Sequence, residues 1–284
     1  MSISVPDPAI LHEAARQAIR EDRGPMDLTT QALIPDSATG SARIFCREAG
    51  VLAGTPLAET VFGELNPALN ITVTTADGSP VEPEQTVIEL KGPIAAILTG
   101  ERPALNFLQH LSGIATEAHR FVDATAGTKC KILDTRKTIP GLRILQKYAV
   151  TCGGGLNHRM GLYDAFMIKD NHVARMNGTA GFADAVKAAR ALDPDAPLIA
   201  EADTLEQVDE FLKLEVDRIL LDNMRCHEMR EAVERAGGRI PLEASGNMTL
   251  ERIPEVAATG VDFISVGALT HTVRALDFSL EILS

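Results

Sequence analysis

The sequence lacks the features of several common protein classes. No apolar run reaches the ~18 residues that a membrane span needs, and the N-terminus lacks the charged-then-apolar pattern of a secretory signal. The four cysteines have no paired spacing, which disfavours disulfides and a zinc site. No P-loop occurs, and no strand-like run is followed by Gly-x-Gly-x-x-Gly. We therefore expect a cytoplasmic protein with no membrane association and with reduced, mostly buried thiols.

A broadly basic surface is missing as well, because 39 acidic residues outnumber 27 Lys and Arg and leave a net charge of −12. Residues 129–175 are the exception, since they hold nine of those cations against three acids, a local charge of +6. A local positive centre in an acidic protein favours small, highly anionic ligands over nucleic acid. We therefore predict the functional site in this segment and no nucleic-acid partner.

The first third of the chain differs in pattern from the rest. With 284 residues, 45% apolar content and a mean hydropathy of +0.04, the chain is long enough for one large domain or two unequal ones. Residues 9–20 have the apolar spacing of a helix, and residues 41–92 contain short strand-like runs separated by turns. Residues 94–125 carry a helical pattern that would connect the two parts. These patterns predict a small α+β unit followed by a larger one.

After Gly127, short apolar runs alternate with amphipathic helical stretches, which predicts repeated βα units and a parallel sheet. The runs are residues 131–134, 165–169, 198–201, 218–222, 240–243 and 263–267. Each run ends in a residue that is capable of chemistry. A barrel gathers all such strand ends in one bowl, whereas an open doubly wound sheet gathers only those near its switch point. We therefore favour an α/β barrel, and six or seven strands instead of eight predict an incomplete one.

Two basic motifs lie in the positively charged segment. Arg136 and Lys137 directly follow the first run; the arginine offers a planar fork for a carboxylate or phosphate, and the lysine a mobile point charge. His158 and Arg159 follow the glycine run 153–155, whose flexibility lets the backbone approach a ligand closely. The alternative for both motifs is an ordinary solvated loop.

Lys169 ends an apolar run, so its stem should be buried and its ammonium group should need an anionic partner. Glu201 and Asp222 end neighbouring runs and could neutralise it in a purely structural network. The same two carboxylates could instead be ligands of Mg²⁺, which commonly takes one or two protein carboxylates together with phosphates and water.

Small residues end the last two runs. Ser245, Gly246 and Gly267 leave backbone N–H groups accessible at the position where barrels often hold a phosphate. The alternative is a plain turn that begins the next helix.

Six long motifs cover nearly the whole chain: residues 21–30, 100–106, 134–143, 155–164, 168–172 and 266–271. Together they resemble the nicotinate-nucleotide pyrophosphorylase (carboxylating), or quinolinate phosphoribosyltransferase, family. The resemblance implies an N-terminal α/β sandwich domain over residues 1–112, with a C-terminal helix near 272–284 packing back on it. It implies an incomplete, about seven-stranded α/β barrel as the catalytic domain over residues 113–271.

The resemblance also implies an activity and partners. The enzyme would transfer phosphoribosyl from 5-phosphoribosyl-1-pyrophosphate to quinolinate with decarboxylation, giving nicotinate mononucleotide, pyrophosphate and CO2 in NAD biosynthesis. Mg²⁺ would be the cofactor. The active form would be a homodimer in which each subunit completes its partner's site, with a higher assembly left open.

Matching the motifs residue by residue implies roles at the pyridine end of the site. Arg136, His158 and Arg159 would bind the quinolinate carboxylates. Lys137 and Lys169 would lie between the two substrates and act in catalysis.

The same matching implies roles around the sugar. Arg102 would reach into the neighbouring subunit's site. Glu201 and Asp222 would hold the ribose and its metal and act in catalysis. The 5-phosphate would be bound by Ser245, Gly246 and Gly267.

The chain departs from the family pattern at Ile199, where relatives often carry a first acid before Glu201, and at Met167 and Asn247. The missing acid bears on metal handling. Alternative assignments are a paralogue associated with molybdenum transport, a relative that uses nicotinate directly, and a non-catalytic anion- or nucleotide-binding module. The intact 135–138 and 157–159 motifs favour the quinolinate enzyme.

Overall fold

Helices and antiparallel strands come first along the chain, and a regular alternation of strands and helices follows. The computed structural model describes residues 3–176 and 181–283. The first elements are α1 (Pro8–Arg23), α2 (Leu28–Leu33), β1 (Thr39–Cys46), β2 (Gly50–Val51), α3 (Thr55–Leu65), β3 (Asn70–Val73), β4 (Pro80–Val81), β5 (Thr86–Pro93) and α4 (Ile94–Asp123). They are followed by β6 (Lys131–Leu133), α5 (Arg143–Cys152), β7 (Phe166–Ile168), α6 (Asp170–Val173), α7 (Phe182–Leu192), β8 (Leu198–Ala202), α8 (Leu205–Phe211), β9 (Arg218–Asp222), α9 (Cys226–Ala236), β10 (Leu242–Ser245), α10 (Ile253–Ala257), β11 (Phe263–Ser265), α11 (Ala268–His271) and β12 (Phe278–Leu283). A 3-10 turn at Leu250–Arg252 precedes α10.

The chain divides into two compact units that do not follow one simple cut. The first unit contains the chain up to His119, residues 144–154 and the C-terminal segment from Thr272. The second contains residues 120–143 and 155–271. The predicted boundary at residue 112 falls inside α4, which continues unbroken to Asp123.

The first unit is built on an antiparallel sheet with strand order β12-β1-β5-β3. The central strand β1 pairs with β5 through Ala42↔Leu90 and Ile44↔Ile88, and β2 and β4 form a separate two-stranded sheet. The predicted helix at residues 9–20 is confirmed as α1, which begins at the N-cap Asp7.

The predicted C-terminal helix is wrong. Residues 278–283 form β12, which pairs antiparallel with β1 through Ile44↔Leu280 and Ala42↔Ile282. The segment Phe-Ser-Leu-Glu-Ile-Leu alternates apolar and polar residues, and this period of two suits a strand. A partner strand more than 200 positions earlier in the chain decides between the two structures.

Asp77 ties α3 to α5 within the first unit. Its carboxylate accepts hydrogen bonds from the backbone N–H of Gly54 (2.6 Å) and from the hydroxyl group of Thr55 (2.8 Å) at the start of α3. It also accepts one from the hydroxyl group of Tyr148 on α5 (2.7 Å). Asp77 lies in the turn Asp-Gly-Ser-Pro, and its role here is structural.

The second unit is built on a parallel sheet with strand order β6-β11-β10-β9-β8-β7. Its six strands coincide with the six predicted runs, and the expected α/β architecture is confirmed. The fifth strand begins at Leu242 rather than at residue 240, because Pro241 has no N–H group to donate to a ladder.

The barrel is incomplete, as predicted. Leu156 forms an isolated parallel bridge to Leu133 on the free edge of β6, and its N–H donates to the carbonyl of Ile132 (2.8 Å). Within the described ranges, no pairing joins Leu156 to β7. Six strands and this one-residue bridge therefore form an unclosed barrel whose strand ends lie at one edge.

Candidate active site

Polar side chains follow the carboxyl ends of the parallel strands in the second unit. The predicted residues that the structure places there are Arg136, Lys137, His158, Arg159, Lys169, Glu201, Asp222, Ser245, Gly246 and Gly267. Because the sheet is parallel, these ends lie on the same side of the fold. Arg102 lies elsewhere, on α4 in the first unit, where its side chain is 58% exposed and 3.9 Å from Glu101.

Lys169 and Glu201 form the expected ion pair at the ends of β7 and β8, although the Lys169 side chain is 38% exposed rather than buried. The ammonium group donates a short hydrogen bond to Oε2 of Glu201. Burial raises the pKa of Glu201; the Lys169 contact lowers it, and Asp222 and Asp203 raise it further, so that it stays above its ordinary value. The ionised form of Glu201 is therefore less favourable than that of an ordinary exposed glutamate.

Asp203 is a carboxylate that the sequence analysis missed. It follows Glu201 by two residues, so Glu201 and Asp203 form an acid-x-acid pair, although Ile199 replaces the acid that relatives carry upstream of Glu201. Burial raises the pKa of Asp203, and the charges of Asp170 and Asp222 raise it further. Crowded carboxylates of this kind favour a cationic or metal-bearing ligand.

Carboxylates at the strand ends are the candidate ligands for Mg²⁺. Among residues 3–176 and 181–283, no three His, Cys, Asp or Glu side chains come together as a metal-ligand group. Glu201 and Asp222 still fit Mg²⁺ in the way it usually binds, with one or two carboxylates and the remaining oxygens from phosphate and water. The residues therefore fit a metal that arrives with a phosphorylated substrate and do not form a complete cage.

The basic loops lie against each other near the end of β6. Arg143 holds them, because its guanidinium donates to the carbonyl of Met160 (3.0 Å) and to that of Arg136 (3.4 Å). Burial lowers the pKa of Arg159, and the positive charge of Arg136 lowers it further. Two guanidinium groups that repel each other form a site that a dianion would stabilise.

Hydrogen bonds hold His158 in the same loop as Arg159. Its backbone N–H donates to buried Asp134 (2.8 Å), and its Nδ1 accepts from the N–H of Arg159 (2.7 Å). An accepting Nδ1 places a proton on Nε2, which lies 3.3 Å from Oε1 of Glu243. Glu243, fully buried on β10, was not among the predicted site residues.

A polar cavity of about 410 Å³ lies at the ends of β6, β9, β10 and β11. Lys137 belongs to this cavity, which therefore links the basic motif to the small strand-end residues. The lining residues are Thr135, Lys137, Asp222, Asn223, Ser245, Gly246, Asn247, Met248, Ser265 and Gly267.

A side chain is disfavoured at both predicted glycines of the cavity, most strongly at Gly246. A Cβ atom at Gly246, whose φ is +97°, would lie 2.1 Å from Oδ1 of Asn223. A Cβ atom at Gly267 would lie 2.9 Å from Cδ of Lys137. These contacts leave the backbone as the wall of the cavity.

Two asparagines shape the same wall, and both adopt left-handed conformations. Asn223 has φ +53° and Asn247 φ +50°. The amide group of Asn247 donates to that of Asn223 (3.3 Å), which in turn donates to Asp222 (2.9 Å). Asn tolerates this conformation better than most residues, so the Asn247 departure is compatible with the loop.

Comparisons with known proteins show the family of the chain. Residues 27–112 match the family described as "Quinolinate phosphoribosyl transferase, N-terminal domain", and residues 114–281 match its C-terminal domain. The chain belongs to the quinolinate phosphoribosyltransferase family. The family resemblance drawn from the motifs is thereby confirmed.

Individual quinolinate phosphoribosyltransferase relatives match over most of their length. The chain is 44% identical to a nicotinate-nucleotide pyrophosphorylase [carboxylating] of Mycobacterium leprae, covering 95% of this chain and 96% of the relative. It is 40% identical to a quinolinate phosphoribosyltransferase [decarboxylating] of Nicotiana tabacum, covering 96% of this chain and 82% of that one. The structure is similar to that of the Francisella tularensis nicotinate-nucleotide pyrophosphorylase, with TM-score 0.95, 39% identity and coverage of 100% and 99%.

The sequence analysis did not include four residues that contact the candidate site or its loops. Asn223 and Asp203 each lie within two residues of a predicted acid, so a wider reading of the strand ends would have included them. The run 240–243 ends in Glu243, but the sequence analysis assigns it no role, and its partner Arg218 lies at the start of β9. No local pattern marks Arg252, whose guanidinium contacts backbone carbonyls of two loops.

Proposed function

We propose that the protein transfers phosphoribosyl from 5-phosphoribosyl-1-pyrophosphate to quinolinate with decarboxylation, giving nicotinate mononucleotide, pyrophosphate and CO2 in NAD biosynthesis. Family membership supports the reaction class. The observation that carries the proposal is that Arg143 joins the loops of Arg136 and Arg159 through the carbonyls of Arg136 and Met160. The next residue after Arg136, Lys137, lines a polar cavity together with small strand-end residues. This arrangement suits one substrate with several carboxylates and another with phosphates. No helix in the described chain is long and apolar enough to span a membrane, and a cytoplasmic location stays a prediction.

Quinolinate would bind at the basic end. Its two carboxylates would be paired by Arg136, His158 and Arg159, and each charge-assisted hydrogen bond contributes about 1.5–3 kcal/mol. The repulsion that lowers the pKa of Arg159 would be relieved by the dianion. Lys137 and Lys169 would neutralise charge between the two substrates.

The sugar phosphate would bind at the other end. Ser245, Gly246 and Gly267 would bind the 5-phosphate, because the two glycines keep side chains out of the cavity. Glu201 and Asp222 would face the ribose, and positive charge develops on the anomeric carbon as the bond to pyrophosphate breaks. Preorganised carboxylates stabilise that charge in the transition state.

The two steps then follow from the substrates' own chemistry. The ring nitrogen of quinolinate forms the bond to the anomeric carbon and becomes a pyridinium. Its positive charge accepts the electron pair left when the adjacent carboxylate departs as CO2, and a proton then takes the vacated position. Decarboxylation is therefore the late step, and the protein's part is positioning and electrostatic stabilisation.

Glu201 and Asp222 would hold Mg²⁺, with the other oxygens supplied by substrate and water. When bound, the ion would supply charge that offsets the negative charge of the leaving pyrophosphate. The Lys169 contact partly offsets the rise that burial causes in the pKa of Glu201 and so favours its charged form.

A homodimer is part of the proposal, with Arg102 supplied across the interface. Arg102 is exposed on α4, and Glu101 is its nearest acidic partner at 3.9 Å. Mixing inactive Arg102→Ala subunits with inactive Lys137→Ala subunits should restore part of the activity in hybrid dimers. Verified hybrids without any recovered turnover would contradict the shared site.

The assay is an incubation with Mg²⁺, the phosphoribosyl donor and either quinolinate or nicotinate, following nicotinate mononucleotide and CO2. Product from quinolinate alone is expected. Product from nicotinate would point to the non-decarboxylating relative, and no product from either would overturn the proposed reaction.

A further inference from the structure

Arg252 joins two of the loops that wall the phosphate cavity. It ends the 3-10 turn that follows β10. Its Nη1 donates to the carbonyl oxygens of Gly246 (3.1 Å) and Asn247 (3.4 Å), and its Nη2 donates to the carbonyl of Met224 (3.2 Å). One guanidinium group therefore bridges the loop after β9 and the loop after β10.

This clamp has a consequence for the direction of the neighbouring N–H groups. In a trans peptide the C=O and the following N–H point in opposite directions, and no peptide bond of the described chain is cis. With the carbonyls of Gly246 and Asn247 turned to Arg252, the N–H groups of Asn247 and Met248 point away from it. Both residues line the cavity, and Arg252 does not.

The N–H groups so directed are available to a ligand. Those of Asn247 and Met248 donate to no other group within residues 3–176 and 181–283. Backbone N–H groups that converge on a cavity are favourable partners for phosphate oxygens. An arginine behind them leaves their carbonyl ends satisfied, so the loop has no need to rotate to pair those oxygens.

The clamp also holds a conformation that costs energy. Asn247 has φ +50°, a left-handed conformation that is less favourable for a residue with a side chain than for glycine. Two contacts hold it: the carbonyl bond to Arg252 and the side-chain bond to Asn223 (3.3 Å). Asn223 in turn contacts Asp222, so loosening the loop would also release an acid of the proposed ribose site.

We propose that Arg252 is a positioning residue for the phosphate cradle, directing loop N–H groups toward the 5-phosphate of the phosphoribosyl donor without contacting the substrate. The proposal rests on the function proposed above. It predicts a selective effect on the donor, because the quinolinate loops are held by Arg143 instead.

Arg252→Met and Arg252→Lys test this, with Arg230→Met as the matched control. Arg230 is exposed on α9 and has the same charge, but the described structure gives its side chain no hydrogen bond to either loop.

KM is measured separately for the donor and for quinolinate. Arg252→Met should raise the donor KM about tenfold and change the quinolinate KM less than twofold. Arg252→Lys should raise the donor KM about threefold to fivefold, since an ammonium group cannot span all three carbonyls. Arg230→Met should change neither KM more than twofold.

A folded Arg252→Met protein with an unchanged donor KM would overturn the proposal, and so would equal losses for both substrates, which a merely structural role predicts. If Arg252→Met fails to fold, Arg252→Lys becomes the test. A donor KM equal to that of the wild type in Arg252→Lys would overturn the positioning role of the guanidinium group. Calorimetric binding of inorganic phosphate separates the two proposals. If the wild type turns over neither pyridine substrate but binds phosphate, with affinity about tenfold weaker in Arg252→Met, the cradle role stands without the reaction. A wild type that binds no phosphate would overturn the cradle role itself.

Discussion

Glu243 should be the most sensitive charged position of the second unit. Its side chain is fully buried on β10. Oε2 accepts a hydrogen bond from Arg218 at the start of β9 (2.9 Å). Oε1 lies 3.3 Å from Nε2 of His158, within ion-pair distance but without hydrogen-bond alignment. The guanidinium of Arg218 also stacks 4.3 Å from the ring centre of Phe263, which fixes the charge inside the unit.

Replacing Glu243 with glutamine should lower the free energy of unfolding by about 3 kcal/mol at pH 7, because removing one partner of a buried ion pair leaves the other uncompensated. The corresponding fall in Tm is about 6–12 °C. Burial alone would raise the pKa of Glu243, but His158 and then Arg218 bring it below its ordinary value near 4.5. A lowered pKa in the folded state means that the stabilisation is fully present above about pH 4.5 and is lost as the pH falls through the folded-state pKa.

Urea denaturation of wild type and Glu243→Gln between pH 3 and pH 7 measures both quantities. Glu234→Gln on the exposed face of α9 is the control, and it should change the free energy of unfolding by less than about 0.5 kcal/mol. The difference between wild type and Glu243→Gln should be constant above pH 5 and shrink below pH 4.5. A difference under about 1 kcal/mol at pH 7, or one that persists unchanged to pH 3, would refute the reasoning.

Three further predictions concern other parts of the molecule. Arg136→Ala should reduce kcat/KM for quinolinate about 30-fold to several thousandfold, because a ligand carboxylate loses its partner at a cost of about 2–5 kcal/mol; steady-state kinetics showing less than a threefold loss would remove that role. Asp203→Asn should raise Tm at pH 7 by about 1 °C, since partial burial and neighbouring carboxylates raise the pKa of Asp203. The gain is small because the side chain is largely exposed and solvent screens these charges. Calorimetry should show that gain disappearing as the pH falls below the ordinary value of 3.8, where the aspartate is protonated in both states. Tyr148→Phe should lower the free energy of unfolding by about 1.5–3 kcal/mol in chemical denaturation, because charged Asp77 loses a buried donor at 2.7 Å; an unchanged midpoint would contradict this.

The parallel sheet and the position of the candidate site could be predicted from local pattern. The run 218–222 coincides with β9 because a strand buried on both faces is a continuous apolar run wherever it occurs. A parallel sheet requires all its carboxyl ends to lie on one side, so the pattern alone predicts Lys169, Glu201 and Asp222 at one edge. The sequence predicts an anionic partner for Lys169, and Glu201 supplies it, although the lysine side chain is only partly buried.

The sequence by itself thus determined the alternation of strands and helices, the family and the chemical character of the strand ends, since these depend on residue type and short spacing. The tertiary structure decided the features that depend on contacts between residues distant in sequence. It made residues 278–283 a strand, because β1 supplies the hydrogen-bond partners that a six-residue segment cannot supply to itself. It also gave Arg252 three carbonyl partners and placed Glu243 between Arg218 and His158. Such contacts join residues that are distant in sequence, and only the folded backbone brings their atoms within bonding distance.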